Sequence, residues 1–122
     1  MQNIKDQLNK VIKLFNNGEK QKAFKEINFL MLGNGKDLNC LLLHAKICID
    51  LNEIYKANSS LEKILSLDSH NYEALKLIYI NFLKINKFAL AKKYIDKLIT
   101  IKDNNYELLR DKAFIEYINN DY

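Results

Sequence analysis

The feature that most constrains this chain is a period. The stretch SLDSHNYEAL at 66–75 is followed 34 residues later by TIKDNNYELL at 100–109, so Asn71, Tyr72, Glu73 and Leu75 return as Asn105, Tyr106, Glu107 and Leu109. Ala23, Ala57 and Ala91 keep the same interval. Apolar columns travel with them: Ile27, Leu61 and Ile95; Leu30, Ile64 and Leu98; Leu14, Cys48 and Phe82. A further column, Gly18, Asn52 and Asn86, consists of residues that tolerate left-handed turns. A fixed period of this length marks a chain of repeated supersecondary units. No single unit buries both of its faces, so neighbours must complete the core.

Each unit reads as two short helices. In the second, LNCLLLHAKICIDL is followed by the turn pair Asn52-Glu53 and then by IYKANSSLEKILSL. Apolar residues recur at three and four, as in the stripe Ala57, Leu61, Ile64 and Leu65. Gly33-Asn34-Gly35 ends the first unit's second helix. Asp68-Ser69-His70-Asn71 and Lys102-Asp103-Asn104-Asn105 read as turns between units, with Asn71 and Asn105 placed to cap the helices that follow. Strand signals are absent, because no sustained alternation joins two β-branched runs. The recurrent alanines let paired helices approach closely, since interaxial distance depends on side chains at the contact.

These residues resemble the tetratricopeptide repeat (TPR), a 34-residue helix–turn–helix unit with an alanine early in its second helix. Ala23, Ala57 and Ala91 match that alanine; Ile27, Leu61 and Ile95 match the large apolar column after it. Leu14, Cys48 and Phe82 fill a column usually held by Tyr, and Ser69 takes the place of the usual Pro. The chain departs from the pattern in lacking Trp and Pro and in carrying Tyr79 where a small residue is usual. Ala45 and Ala113 fit that small column and Val11 is intermediate. The resemblance implies an all-α, right-handed superhelical stack of antiparallel helix pairs with seven helices. The expected organisation is one domain, 1–122, with repeats at about 4–37, 38–71 and 72–105 and a capping helix at 106–122. Lys112 and Glu116 stand in columns held by His44 and Cys48, and by Ile78 and Phe82, so the cap is expected to show a polar outer face.

Bulk properties agree with a globular binding module. At 122 residues a single domain is the natural size. The 48% hydrophobic and 28% charged content excludes disorder. No apolar run reaches the ~18 residues of a membrane span. The N-terminus, MQNIKDQLNKVIKLF, lacks a signal-peptide core, so the expected location is cytoplasmic. The net charge of +4 comes from lysines interspersed with acids rather than from a basic block, which argues against nucleic acid as partner. Cys40 and Cys48 lie eight residues apart on one helix, about 12 Å along its axis, too far for a disulfide.

Chemistry-bearing clusters are few. Cys40, His44 and Cys48 share a helical face, but the outer pair is too widely spaced for one tetrahedral ion, and the matching columns are apolar. They read as core residues, and no metal or other cofactor is expected. No phosphate loop, nucleophile elbow or zinc-protease helix is present, so the chain is not expected to be an enzyme. The lysines of 20–25 and 92–97 fall on second helices, which form the convex side in the family the chain resembles, and read as a solvated face.

The resemblance places the binding surface on the inward face of the first helices. The expected peptide-binding groove comprises Leu8, Asn9, Ile12 and Phe15; then Leu42, Lys46 and Ile49; then Lys76, Leu77, Ile80 and Leu83; and finally Phe114 and Tyr117 of the last helix. Lys5, Asn39, Leu43, Asp50, Glu73, Lys84 and Arg110 lie on the same face. One subfamily clamps chaperone C-terminal carboxylates with Lys, Asn and Arg. The matching positions here are Leu8, Ile12, Leu43, Glu73 and Leu77, none of which carries that chemistry. A carboxylate buried against them would be unpaired. The expected function is therefore a non-catalytic scaffold that takes an apolar or amphipathic protein segment in its concave groove. The alternative is a self-associating assembly module, a homo-oligomer joined through its ends or groove.

Overall fold

Short polar side chains set where four of the helices begin. Asn3 Oδ1 accepts from the Asp6 N–H at 2.8 Å, Asp37 Oδ1 from the Cys40 N–H at 2.9 Å, Asn71 Oδ1 from the Ala74 N–H at 3.0 Å and Asn105 Oδ1 from the Leu108 N–H at 3.2 Å. Each side chain satisfies a backbone donor that the first turn leaves without an intrahelical partner. The capped helices are α1 (Ile4–Asn16), α3 (Leu38–Asp50), α5 (Tyr72–Lys84) and α7 (Tyr106–Asn119). Between them run α2 (Lys20–Gly33), α4 (Ile54–Leu67) and α6 (Phe88–Ile101). The computed structural model describes residues 3–101 and 105–119, and among these there is no strand. Residues 1–2, residues 102–104 of the expected last inter-unit turn and residues 120–122 of the expected last helix lie outside the described residues.

The second helices begin differently, straight out of a left-handed turn. Gly18, Asn52 and Asn86 have φ of 84°, 61° and 60°. Around each, two backbone bonds close the preceding helix. Gly18 N–H donates to Phe15 O at 3.1 Å and Glu19 N–H to Leu14 O at 2.9 Å. Asn52 and Glu53 repeat the pair on Ile49 and Cys48, and Asn86 and Lys87 repeat it on Leu83 and Phe82. This is the Schellman ending, which requires αL geometry at one residue and so selects Gly or Asn there. The 34-residue period is thus a repeat of hydrogen-bond geometry.

The chain forms two compact units, Met1–Leu67 with α1–α4 and Asp68–Tyr122 with α5–α7. In the first, α1 pairs with α2, α3 with α4, and α3 also packs on α2. In the second, α6 packs against both α5 and α7. Among the described residues no helix is long and apolar enough to cross a membrane.

The repeated columns are the core. Ala23, Ala57 and Ala91 are fully buried, as are Ile27, Leu61 and Ile95. Val11, Ala45 and Tyr79 occupy the expected small column and are also buried. Tyr79 fits because its ring extends beyond the reach of an alanine and its hydroxyl donates to Asp111 Oδ2 of α7 at 2.9 Å. Burial and that carboxylate raise the phenol well above its ordinary pKa. A bulky residue in a small column has become a tie between α5 and α7.

Helix α7 departs from expectation on its outer face. Lys112 and Glu116 keep part of their side chains in solvent, and Lys112 Nζ also sits 3.1 Å from Asp96 Oδ1 of α6. Leu108 and Ile115 form the buried side, while Tyr106, Leu109, Phe114, Tyr117 and Ile118 are exposed. Ala113, which fits the small column of Ala45, is exposed too. The polar substitutions occur on the side that meets α6, where Asp96 receives the lysine.

Candidate functional site

Apolar residues at four-residue spacing place one side of α1 opposite α3. Ile4, Leu8 and Ile12 lie along one face of α1, and Leu42 and Leu43 face them from α3. Together with Lys5, Asn9, Asp37, Asn39 and Lys46 they line a cleft of about 510 Å³ within the first unit. The floor is aliphatic and the rim carries amides and lysines. Asp37 is held at its place by the cap it makes on α3.

Eight of the residues placed on this face from sequence, Lys5, Leu8, Asn9, Ile12, Asn39, Leu42, Leu43 and Lys46, come together in this cleft. Phe15 is half-buried and packs against the core of the first unit, and Ile49 is half-buried on α3. Leu77, Ile80 and Leu83 are half-buried on α5, where Lys76 is exposed. Phe114 and Tyr117 are exposed on α7, with the Phe114 ring edge-on to Phe88 at 6.4 Å between centroids. Ile4 and Asp37 line the cleft but were missing from the sequence reading. The four-residue spacing of Ile4, Leu8 and Ile12 was a usable signal for the first; Asp37 contributes only through its position as a cap.

The second helices are less purely solvated than their lysine content suggested. Lys92 is half-buried and bonds Asp96 Oδ2 at 3.3 Å, while Lys93 lies over the Tyr94 ring at 5.5 Å. Lys20 pairs with Asp50 of α3 at 2.5 Å.

The Cys40, His44 and Cys48 face is built into the core. His44 Nδ1 lies 2.5 Å from Ser60 Oγ of α4, its ring stacks on Phe24 of α2 at 6.2 Å, and its Nε2 is 3.5 Å from Cys48 Sγ. Both cysteines are free and fully buried, and burial pushes their thiols up to about 11. They stay protonated near neutral pH, whereas metal ligation and nucleophilic attack use the thiolate.

Burial, and then the charge of Lys56, lowers the pKa of His44 from 6.5. The folded chain therefore prefers neutral imidazole, and the unfolded chain binds a proton at about pH 6.5. This contribution to stability is complete above that pH and is lost as pH falls from there towards the depressed folded value. Urea midpoints measured between pH 7.5 and 5 should fall, and His44→Gln should flatten that part of the profile. An unchanged profile in the variant would show that His44 is not the group responsible.

Comparison with known proteins bears on the fold. No family model matches the sequence, and no curated protein sequence matches it. Among solved structures, a tetratricopeptide repeat protein from Parabacteroides merdae superposes with a TM-score of 0.85 at 19% identity, over 95% of this chain. The chain has the TPR fold. It spans 45% of that protein's chain. The first TPR of Spaghetti (RPAP3), bound to the HSP90 peptide SRMEEVD, matches with a TM-score of 0.78 at 18% identity, over 90% of this chain and 87% of that one. The second TPR domain of human RPAP3, in complex with the HSP70 peptide SGPTIEEVD, gives 0.77 at 13% identity, over 90% and 92%. In TPR terms α1, α3, α5 and α7 are first helices, and α2, α4 and α6 are second helices.

Proposed function

We propose that this TPR chain is a non-catalytic interaction scaffold, and that the cleft between α1 and α3 receives an apolar or amphipathic segment of a protein partner. The observation that carries this reading is the aliphatic floor of Ile4, Leu8, Ile12, Leu42 and Leu43. Covering it removes apolar surface from water at about 25 cal/mol per Å², partly offset by ordering the peptide, which suits micromolar affinity. Peptide complexes of two structural neighbours support protein segments as the ligand class. Their peptides end in EEVD, whereas the clamp-equivalent positions here include Leu8, Ile12 and Leu43. The partner should therefore be held by side chains rather than by a terminal carboxylate.

Selection of short displayed peptides against the chain tests this. Selected sequences should be rich in apolar residues, and amidating their C-termini should leave affinity unchanged. Leu42→Asp and Ile12→Asp should each weaken binding at least about tenfold, because a carboxylate would be left against an apolar ligand. Lys93→Glu should have little effect. Peptides that require a free C-terminus, or that bind the folded cleft variants as well as the parent, would overturn the reading.

A further inference from the structure

The pair Asn-Gly occurs twice in the sequence, at 17–18 and at 34–35. Glycine has no Cβ, so nothing shields its amide nitrogen from the preceding asparagine side chain, and the two can close a five-membered ring. The surroundings of the two pairs differ. Asn17 N–H donates to Lys13 O at 3.0 Å and Gly18 N–H to Phe15 O at 3.1 Å, in the Schellman ending of α1. The Gly18 nitrogen cannot reach the Asn17 side chain without opening that last turn and its left-handed residue. Asn34 and Gly35 lie between α2 and α3, in a turn closed by the Asp37 N–H donating to Asn34 O at 3.1 Å. No acceptor among the described residues meets the Gly35 N–H. Lys63 of α4 reaches the same residue: a methyl group in place of a Gly35 hydrogen would lie 3.1 Å from Nζ. An ammonium beside this peptide favours its deprotonated nitrogen. What holds Asn34 back is one half-buried bond, from its Nδ2 to Leu30 O at 2.9 Å, a handicap of about fivefold.

We propose that Asn34-Gly35 is a self-modification site, where asparagine converts to aspartate and isoaspartate through a cyclic imide, while folded α1 protects Asn17. The Gly35 nitrogen gives its proton to solvent and attacks Asn34 Cγ. The N–Cγ bond forms, the Cγ–Nδ2 bond breaks, and the amide leaves as ammonia after taking up a proton. Water then opens the imide. Addition at Cγ gives aspartate; addition at the main-chain carbonyl gives isoaspartate, in which the backbone runs through the former side chain. Nothing is oxidised or reduced, and water is the only reagent consumed. Asn34 and Gly35 are both half-buried, so part of the pair already meets water. The product weakens the joint it stands in. The donor to Leu30 O is lost, and a carboxylate takes its place at the negative end of α2. Isoaspartate also lengthens the turn that sets Asp37, which caps α3.

Holding the full chain in mildly alkaline buffer for several weeks tests this, with each site followed by mass spectrometry of its own peptide. Asn34 should gain the mass of the acid, and part of the product should accept methyl groups from an isoaspartate-specific carboxyl methyltransferase. Conversion at Asn34 should run at least about tenfold faster than at Asn17, since only Asn17 must wait for local unfolding. In concentrated urea the two rates should converge, because the dipeptide is the same. Gly35→Ala stands at a position without positive φ, so it should keep the fold while its methyl group slows conversion at Asn34. An Asn34 that keeps its amide, or that converts no faster than Asn17 in the folded chain, would overturn the proposal. Asn34→Asp reproduces one product directly and should melt below the parent; an equal melting temperature would overturn the claim that conversion weakens the α2–α3 joint.

Discussion

Tyr79→Ala is expected to destabilise the chain by about 3–5 kcal/mol, the cost of removing a large buried aromatic and leaving a cavity. Tyr79 is 3% exposed on α5, and its hydroxyl reaches Asp111 of α7. Truncation removes the ring from the α5 core and also removes the donor from a partly buried carboxylate. Tyr79→Phe separates the two effects. It keeps the ring and should cost about 1 kcal/mol, the net worth of one hydrogen bond. Urea unfolding of both variants measures the difference. If alanine costs no more than phenylalanine, the ring is not packed as described. Alanine is the usual kind of residue in this column of the repeat, so the experiment also asks whether restoring the common pattern harms this chain. Harm is the expected result, because the ring is buried and its hydroxyl is bound to Asp111.

Ala57→Leu is expected to cost about 1–3 kcal/mol in the opposite manner, by overpacking. Ala57 is fully buried on α4, the helix that pairs with α3, and Ala23 and Ala91 are equally buried in their own helices. A leucine here must push the paired helices apart or adopt a strained rotamer. Ala89→Leu is the control: Ala89 is exposed on α6, so the same substitution should change stability by less than about 0.5 kcal/mol. Equal stability of the two variants in thermal or urea melts would remove Ala57 from the close contact.

The features legible in the sequence are those that local chemistry decides. Asn71 and Asn105 cap the helices they precede because a short amide can reach the backbone N–H three residues ahead. Asn52 and Asn86 turn the chain because asparagine tolerates positive φ. The alanine columns and their apolar companions mark the core because helical periodicity and the repeat interval coincide. Together these determined the helix order, the turns and the buried stripes.

Tertiary structure decided which way each helix faces and which residues meet across space. Lys112 and Glu116 read as polar cap residues, and only the fold shows that α6 supplies Asp96 to the lysine. Leu109 and Ala113 carry the same letters as buried columns, yet lie exposed, because burial depends on what packs against a face and not on the residue that presents it. Tyr79 read as a misfit in its column, and Asp111, 32 positions away, makes it a tie. The α1–α3 cleft depends likewise on two helices separated by a third. Sequence by itself determined the repeat and its caps, since those rest on contacts within a few residues, and it marked the candidate buried columns through helical periodicity. Only the three-dimensional packing decided the cleft and the exposed side of α7, since each depends on how distant segments fill, or leave unfilled, the space beside a helix.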